Sequence, residues 1–138
     1  MTDSIYNCLW FDGQAQDAAN FYCSVFKDGK IISSNSLVVI FEINKTRFMG
    51  LNGGPSYKPS DAVSFVVECE DQQEIDHHWN MLTANGGQEN MCGWLKDKFG
   101  FSWQIIPKKI HVLISNPKAM EALVKMKKIN IKGLEEAS

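Results

Sequence analysis

Apolar positions along this chain switch between a period of two and a period near 3.6, the spacings of strands and helices. Residues 6–11 alternate as a strand and are closed by a turn at Asp12. Ala18, Phe21, Tyr22, Val25 and Phe26 then recur at three- and four-residue spacing, which predicts a helix with one buried face, ended at Gly29. The β-branched run Leu37-Val38-Val39-Ile40-Phe41 predicts a strand within 36–44. Asn44-Lys45 reads as a turn, 47–51 as the strand that pairs back, and Asn52-Gly53-Gly54-Pro55 as a break.

The same order recurs downstream, so the chain carries an internal repeat. Residues 62–68 predict a strand, and Ile75, Trp79 and Leu82 mark one face of a helix. Asp71 and Glu74 have capping-box spacing, and Gly86-Gly87 supply a left-handed helix end. Residues 94–106 read strand, tight turn, strand, with Asp97 opening and Gly100 closing a type I turn and Pro107 stopping the last strand. Each unit therefore reads strand, helix, several strands, an α+β pattern. Module one covers about 4–56, module two about 61–107, and a tail covers 108–138, all within a single domain. In the tail, Met120, Leu123 and Val124 predict one C-terminal helix over 117–129. Ile31-Ile32-Ser33-Ser34-Asn35 runs almost directly into Ser36-Leu37, which leaves too little chain for a strand, a loop and a partner strand. The run from Leu37 to Phe41 is also expected to stand as an apolar sheet edge that a second copy would cover.

Composition narrows the function. The 138 residues carry 14 Lys and Arg against 16 Asp and Glu, a net charge of -2, so nothing asks for nucleic acid or an anionic membrane. Lys125, Lys127 and Lys128 read as a solvated helix end. The N-terminus has no basic start followed by an apolar run, and no stretch approaches the roughly 20 apolar residues of a membrane span, so a cytoplasmic protein is expected. Cys8, Cys23, Cys69 and Cys92 are far apart with no Cys-x-x-Cys pair, which points to reduced, mostly buried thiols.

Five segments carry a family resemblance. They are Leu9-Trp10-Phe11-Asp12-Gly13-Gln14-Ala15-Gln16-Asp17-Ala18-Ala19-Asn20-Phe21-Tyr22, Leu51-Asn52-Gly53-Gly54-Pro55, Cys92-Gly93-Trp94-Leu95-Lys96-Asp97, Phe99-Gly100-Phe101-Ser102-Trp103-Gln104-Ile105-Ile106 and Met126-Lys127-Lys128-Ile129. Together they resemble the PhnB-like branch of the vicinal oxygen chelate (glyoxalase/bleomycin-resistance) superfamily. The resemblance implies two βαβββ modules that form a curled mixed sheet around a cavity, with a C-terminal helix, in a homodimer. Metal-using members place four cavity-facing ligands, mostly His and Glu, two from each module. Those positions correspond here to Asn7, the stretch from Met49 to Asn52, Ser64 and Gln104. None is His, Asp or Glu, and amides with hydroxyls do not supply the charge a divalent ion needs. The resemblance therefore implies no bound metal and no cofactor. It implies instead a pocket of Asn7, Leu9, Phe11, Leu51, Ser64, Val66 and Gln104 for a small-molecule ligand. The rival readings are a metal-dependent lyase, isomerase or dioxygenase of the glyoxalase type, and a drug-sequestering resistance protein.

Other candidates are weaker. His77 and His78 are adjacent on a helix and point apart, while Glu74 and His78 have the spacing of a solvated i,i+4 pair. His111 reads as a surface residue. Cys92, in a Gly/Trp-rich loop, and Cys69, just before a helix, are the best thiol candidates, and a structural role leads for both. No Gly-x-Ser-x-Gly, Walker or Gly-x-Gly-x-x-Gly sequence is present. Some relatives carry a ubiquinone-pathway methyltransferase label, and this chain lacks the Gly-rich turn that S-adenosylmethionine binding normally uses.

Overall fold

Strand alternation and helix periodicity build two compact units, Met1–Pro59 and Ser60–Ser138, in a computed structural model that describes residues 1–137. The first contains β1 (Asn7–Phe11), α1 (Ala15–Val25), β2 (Lys30–Ser34), β3 (Val38–Ile43) and β4 (Thr46–Asn52). Its four strands are ordered β1-β4-β3-β2, with β1 parallel to β4 and the other pairs antiparallel. The second contains β5 (Ser64–Cys69), α2 (Gln72–Thr83), β6 (Gln88–Glu89), β7 (Trp94–Lys96) and β8 (Ser102–Pro107), in the order β5-β8-β7-β6. Here β5 runs parallel to β8 and the remaining pairs are antiparallel. The two mixed sheets and their helices give the α+β fold and the repeated βαβββ module that the sequence implies.

In the first unit, α1 covers the sheet face that carries Leu9, Phe11, Val39, Phe41, Phe48 and Gly50. Tyr22 stacks on Phe41 at 6.1 Å and Phe41 on Phe48 at 5.5 Å between ring centroids. Phe41 and Val39 are fully buried, and each such side chain contributes roughly 1.5–3 kcal/mol by leaving water. Gly50 keeps α1 close, because a Cβ there would stand 3.2 Å from the Ala15 Cβ. The N-cap of α1, Gln14, makes no side-chain capping bond. Asn52 supplies one from β4: its Oδ1 accepts the Ala15 N–H at 2.9 Å while its Nδ2 donates to Ser36 O at 3.0 Å.

The expectation that no hairpin fits between Ile31 and Leu37 is corrected. β2 and β3 pair directly, from Lys30↔Glu42 to Ser34↔Val39, with an irregularity between Ile31 and Ser33. Asn35 makes the short turn, its Oδ1 accepting the N–H groups of Leu37 and Val38, each at 2.8 Å. An Asx side chain that satisfies two backbone donors replaces the missing loop. The segment from Leu37 to Phe41 is not a sheet edge either, since β3 lies between β4 and β2. The edge is β2, whose five residues are all exposed.

In the second unit, α2 starts at the Asp71 cap, whose carboxylate accepts the Glu74 N–H at 2.9 Å. Glu74 reaches back, as a capping box requires, although to the N–H of Glu70 and not of Asp71. Ile75, Trp79 and Leu82 are buried on its inner face, as their spacing predicts, and Cys69, Leu95, Trp103 and Ile105 are buried in the sheet below. The β7–β8 turn closes as predicted, with Gly100 N–H donating to Asp97 O at 2.9 Å. The buried Asp97 carboxylate accepts from Phe99 N and Phe101 N at 2.9 and 3.1 Å, and from Trp103 Nε1 at 2.9 Å.

The expected C-terminal helix is present as α4 (Pro117–Leu123), and among the described residues it is flanked by two further short helices, α3 (Ile110–Leu113) and α5 (Ile131–Glu135). Beyond α4 the Met126 and Lys127 carbonyls accept from Cys92 N and Gly93 N at 2.7 and 2.8 Å, so neither serves a continuing helix. Gln72 clamps the next turn, donating to Ile129 O and accepting from Ile131 N. Ile110, Ala119, Leu123, Ile129 and Leu134 form their own buried cluster, with Ile106 packed against it. Among the described residues no helix is long and apolar enough to cross a membrane.

The Asp97 knot yields a stability prediction. Asp97→Ala leaves three donors without their acceptor and should cost about 3 kcal/mol, measured by urea unfolding. A loss below about 0.5 kcal/mol would show that the knot does not hold the turn.

Candidate functional site

Alternation gives each sheet a second face, opposite its helix, and these faces hold the candidate chemistry. In the second unit the face opposite α2 carries Ser64, Val66 and Glu68 from β5, Ser102, Gln104 and Ile106 from β8, and Trp94 and Lys96 from β7. Parallel pairing sets Ser64 beside Ser102 and Val66 beside Gln104, while antiparallel pairing sets Trp94 beside Gln104 and Lys96 beside Ser102. Gln104 Nε2 donates to Ser64 Oγ at 3.0 Å, and both residues are half-buried. Beside them Ser102 Oγ donates to Asp61 Oδ1 at 2.8 Å, and Lys96 Nζ stands 3.4 Å from the same oxygen. The Ser102 hydrogen bond and, less strongly, the Lys96 ammonium hold the Asp61 carboxyl below the usual carboxylate range.

The structure thus brings Ser64, Val66 and Gln104 onto one face, as the sequence reading requires. It does not do so for Asn7, Leu9 and Phe11. Leu9 and Phe11 are 5% and 4% exposed and belong to the core beneath α1. Asn7 has the same parity, paired with the buried Phe48, at the exposed start of β1. Leu51 pairs with Trp10, and Met49 with Cys8, so Leu51 lies on the opposite face of the sheet from Leu9 and Phe11. The expected assignment of β1 is therefore one residue out of step: the residues that share the face of Leu51 are Cys8 and Trp10. Asn52, at the end of the expected ligand stretch, is committed to the α1 cap and the Ser36 carbonyl. Trp10 is tied down too, its Nε1 donating to Gly54 O at 2.8 Å and its ring meeting the edge of Tyr57 at 4.8 Å.

Lys96, Ser102 and Asp61 were missed by sequence reasoning. Ser102 and Lys96 follow from the parity of Gln104 once the β7–β8 register is known. Asp61 lies in an irregular stretch before β5 and gives no periodic signal.

The remaining titratable groups do not form an activated centre. Burial pushes the Cys69 thiol up to about 12, with the Glu74 and Asp71 charges adding to it, and burial also raises Cys8 and Cys23. Cys8 is nonetheless on the surface, and among the four thiols only Cys69 is fully buried, so "mostly buried" is corrected. His78 is half-buried, not fully solvated: its Nδ1 lies 2.9 Å from the Glu74 carbonyl and 3.8 Å from Cys69 Sγ. A carbonyl only accepts, so Nδ1 carries the proton, and burial lowers the ring's pKa. Among the described residues no three His, Cys, Asp or Glu side chains converge to hold a metal ion. The Ser64–Gln104 pair offers a hydroxyl and an amide, a donor set that does not fit a divalent cation.

Residues 3–106 match the family model described as 3-demethylubiquinone-9 3-methyltransferase. No curated protein sequence matches the chain. The solved structure of a PhnB protein from Bacillus cereus is similar over 75% of this chain and 99% of that one, at 29% identity and a TM-score of 0.68. A glyoxalase/bleomycin resistance protein from Albidiferax ferrireducens shares the fold at 12% identity, 72% and 93% coverage and a TM-score of 0.54. The fosfomycin resistance protein FosX from Listeria monocytogenes, solved with Mn(II) and sulfate, does so at 12% identity, 80% and 94% coverage and a TM-score of 0.59.

The buried thiol sets a pH dependence. Its folded pKa lies above the ordinary thiol value of 9.0, so the stability it contributes is complete below pH 9 and is lost as pH rises toward about 12. Urea midpoints should fall between pH 8.5 and 10.5, and Cys69→Ala should flatten that fall. An equal slope in the variant would assign the loss to other groups.

Proposed function

Because the chain belongs to the PhnB-like family of the vicinal oxygen chelate superfamily, the family whose model bears the 3-demethylubiquinone-9 3-methyltransferase description, we propose that it binds a small organic molecule on the β5–β8–β7 face through Gln104 and Ser64, without a catalytic metal. The carrying observation is the Gln104–Ser64 hydrogen bond on the sheet face opposite α2. A ligand that offers one acceptor and one donor can replace that bond, taking the amide N–H of Gln104 and the hydroxyl of Ser64. Val66, 54% exposed, and the half-buried Trp94 flank the pair and supply apolar surface for a planar or hydrocarbon body. Leu51 stands on the corresponding face of its own unit.

The methyltransferase description receives no support from the site. Both sheets are mixed, four-stranded and crossed by one long helix each, whereas a doubly wound parallel sheet with a Gly-rich strand-to-helix turn is the usual cradle for such cofactors. The metal-dependent reading requires converging carboxylate or imidazole ligands, and Glu68 and Asp61 on this face are not part of any such cluster among the described residues.

The reading includes a homodimer. Support for it is the all-exposed edge strand β2, with Ile31 and Ile32 at 36% and 43% exposure, a surface that a two-fold partner would pair. Light scattering should give twice the 15.6 kDa chain mass at micromolar concentration; a stable monomer would contradict the dimer.

Gln104→Leu tests the site itself. It should weaken binding of a ligand found by thermal-shift screening by roughly 0.5–1.5 kcal/mol and leave the melting temperature within a few degrees. A large fall in melting temperature with unchanged affinity would make Gln104 a structural tie between β5 and β8. Elemental analysis of protein purified without chelators should find no near-stoichiometric transition metal, and finding one would remove the metal-free reading.

A further inference from the structure

One oxygen atom organises the polar end of the β5–β8–β7 face. Asp61 Oδ1 accepts the Ser102 hydroxyl at 2.8 Å and lies 3.4 Å from the Lys96 ammonium. Ser102 is 2% exposed, so its hydroxyl is fixed by packing, and Lys96 is set beside it by the β7–β8 register. Asp61 differs from both. It lies outside any strand, its side chain is 65% exposed, and Ala62 N–H donating to Ser60 Oγ makes a local turn next to it. A buried hydroxyl and a neighbouring, partly exposed ammonium thus meet a carboxylate delivered from an irregular surface segment.

Resting on the ligand site proposed above, we infer that the Ser102–Lys96 pair is a carboxylate subsite, that the Asp61 side chain fills it when no ligand is bound, and that the ligand is a small carboxylic acid with an apolar body. Three features carry the inference. A hydroxyl and an ammonium converging on one oxygen give the geometry of charge-assisted carboxylate recognition. The ion pair that Asp61 makes with Lys96 is solvent-exposed, the weakest class of ion pair, and the Ser102 hydrogen bond that Asp61 gives up is remade to the incoming carboxylate, so the exchange costs little. The subsite also adjoins the proposed ligand contacts: Ser102 pairs across with Ser64, and Gln104, with its neighbours Trp94 and Val66, lies two residues further along β8 on the same face. An acid whose carboxylate sits on Ser102 and Lys96 would lay its body over that row. The displaced Asp61 swings into water, where its carboxylate is fully solvated.

Phenylacetate and its neutral isostere phenylacetamide are the probes, titrated into the full chain and followed by ¹H–¹⁵N NMR at the Gln104 side-chain amide and the Ser102 backbone. Phenylacetate should shift both signals with a Kd at least tenfold below that of phenylacetamide. Lys96→Met should abolish that preference. Asp61→Asn keeps an oxygen for the Ser102 hydroxyl and removes the competing charge, so it should tighten phenylacetate several-fold. Equal Kd values for acid and amide, or weaker acid binding in Asp61→Asn, would overturn the carboxylate subsite while leaving the Gln104 site standing. Absence of shifts at Gln104 with either probe, at concentrations up to tens of millimolar, would overturn both. Should Asp61→Asn unfold, Asp61→Ser at the same exposed position carries the same expectation.

Discussion

Parallel pairing of the first and last long strands of each unit is the constraint on which the rest depends. β1 lies beside β4, and β5 beside β8, so the residues that precede a helix are locked in register to residues that end the module. Strand side chains alternate strictly, so one register fixes which residues go under the helix and which face away from it. In the second unit the register sends Trp103, Ile105 and Cys69 into the core and leaves Ser64, Ser102 and Gln104 on the other face. A slip by one residue would bury the hydroxyls and the amide without partners and expose the apolar set. Hydrophobic burial beneath α2 therefore specifies the polar face as strongly as any direct interaction on it.

Side chains that satisfy buried backbone donors defend the register. Asp97 gathers three donors at the β7–β8 turn, and Asn52 joins the start of α1 to the end of β4 and the β2–β3 turn. Gln72 holds the tail where it crosses from α4 to α5. Asn52 and Gln72 bond to points distant in sequence while Asp97 ties its own turn, and no buried side-chain polar atom among the described residues lacks a partner.

Local signals were readable and side-chain facing was not always. The Asp71 cap, the Asp97–Gly100 turn and the α2 core residues follow from short-range patterns in the chain, whereas Ser64 and Gln104 were placed through the family resemblance. The face of β1 does not: in Asn-Cys-Leu-Trp-Phe every position from Cys8 to Phe11 is apolar or sulfur-bearing, so alternation carries no contrast, and the position transferred from the family falls one residue off. The β2–β3 hairpin was hidden because Asn35 makes with its side chain the turn that a loop would otherwise make. The course of the chain after α4 is tied by the Met126 and Lys127 carbonyls to residues 92 and 93, more than thirty positions away, which no local window contains. Asp61 was invisible for the same reason, since its significance comes from Ser102 and Lys96.

Thiol labelling on β1 tests the assignment of sheet faces most directly. The account places Cys8 on the exposed side and Leu9, 5% exposed, beneath α1. In a chain whose other cysteines are replaced by serine or alanine, native Cys8 should react with a small maleimide under folding conditions within a few-fold of the rate in urea. Leu9→Cys in a Cys8→Ser background should react only through unfolding, at least a hundredfold more slowly. Rapid labelling at position 9 with protection at position 8 would contradict the account and return Leu9 and Phe11 to the open face.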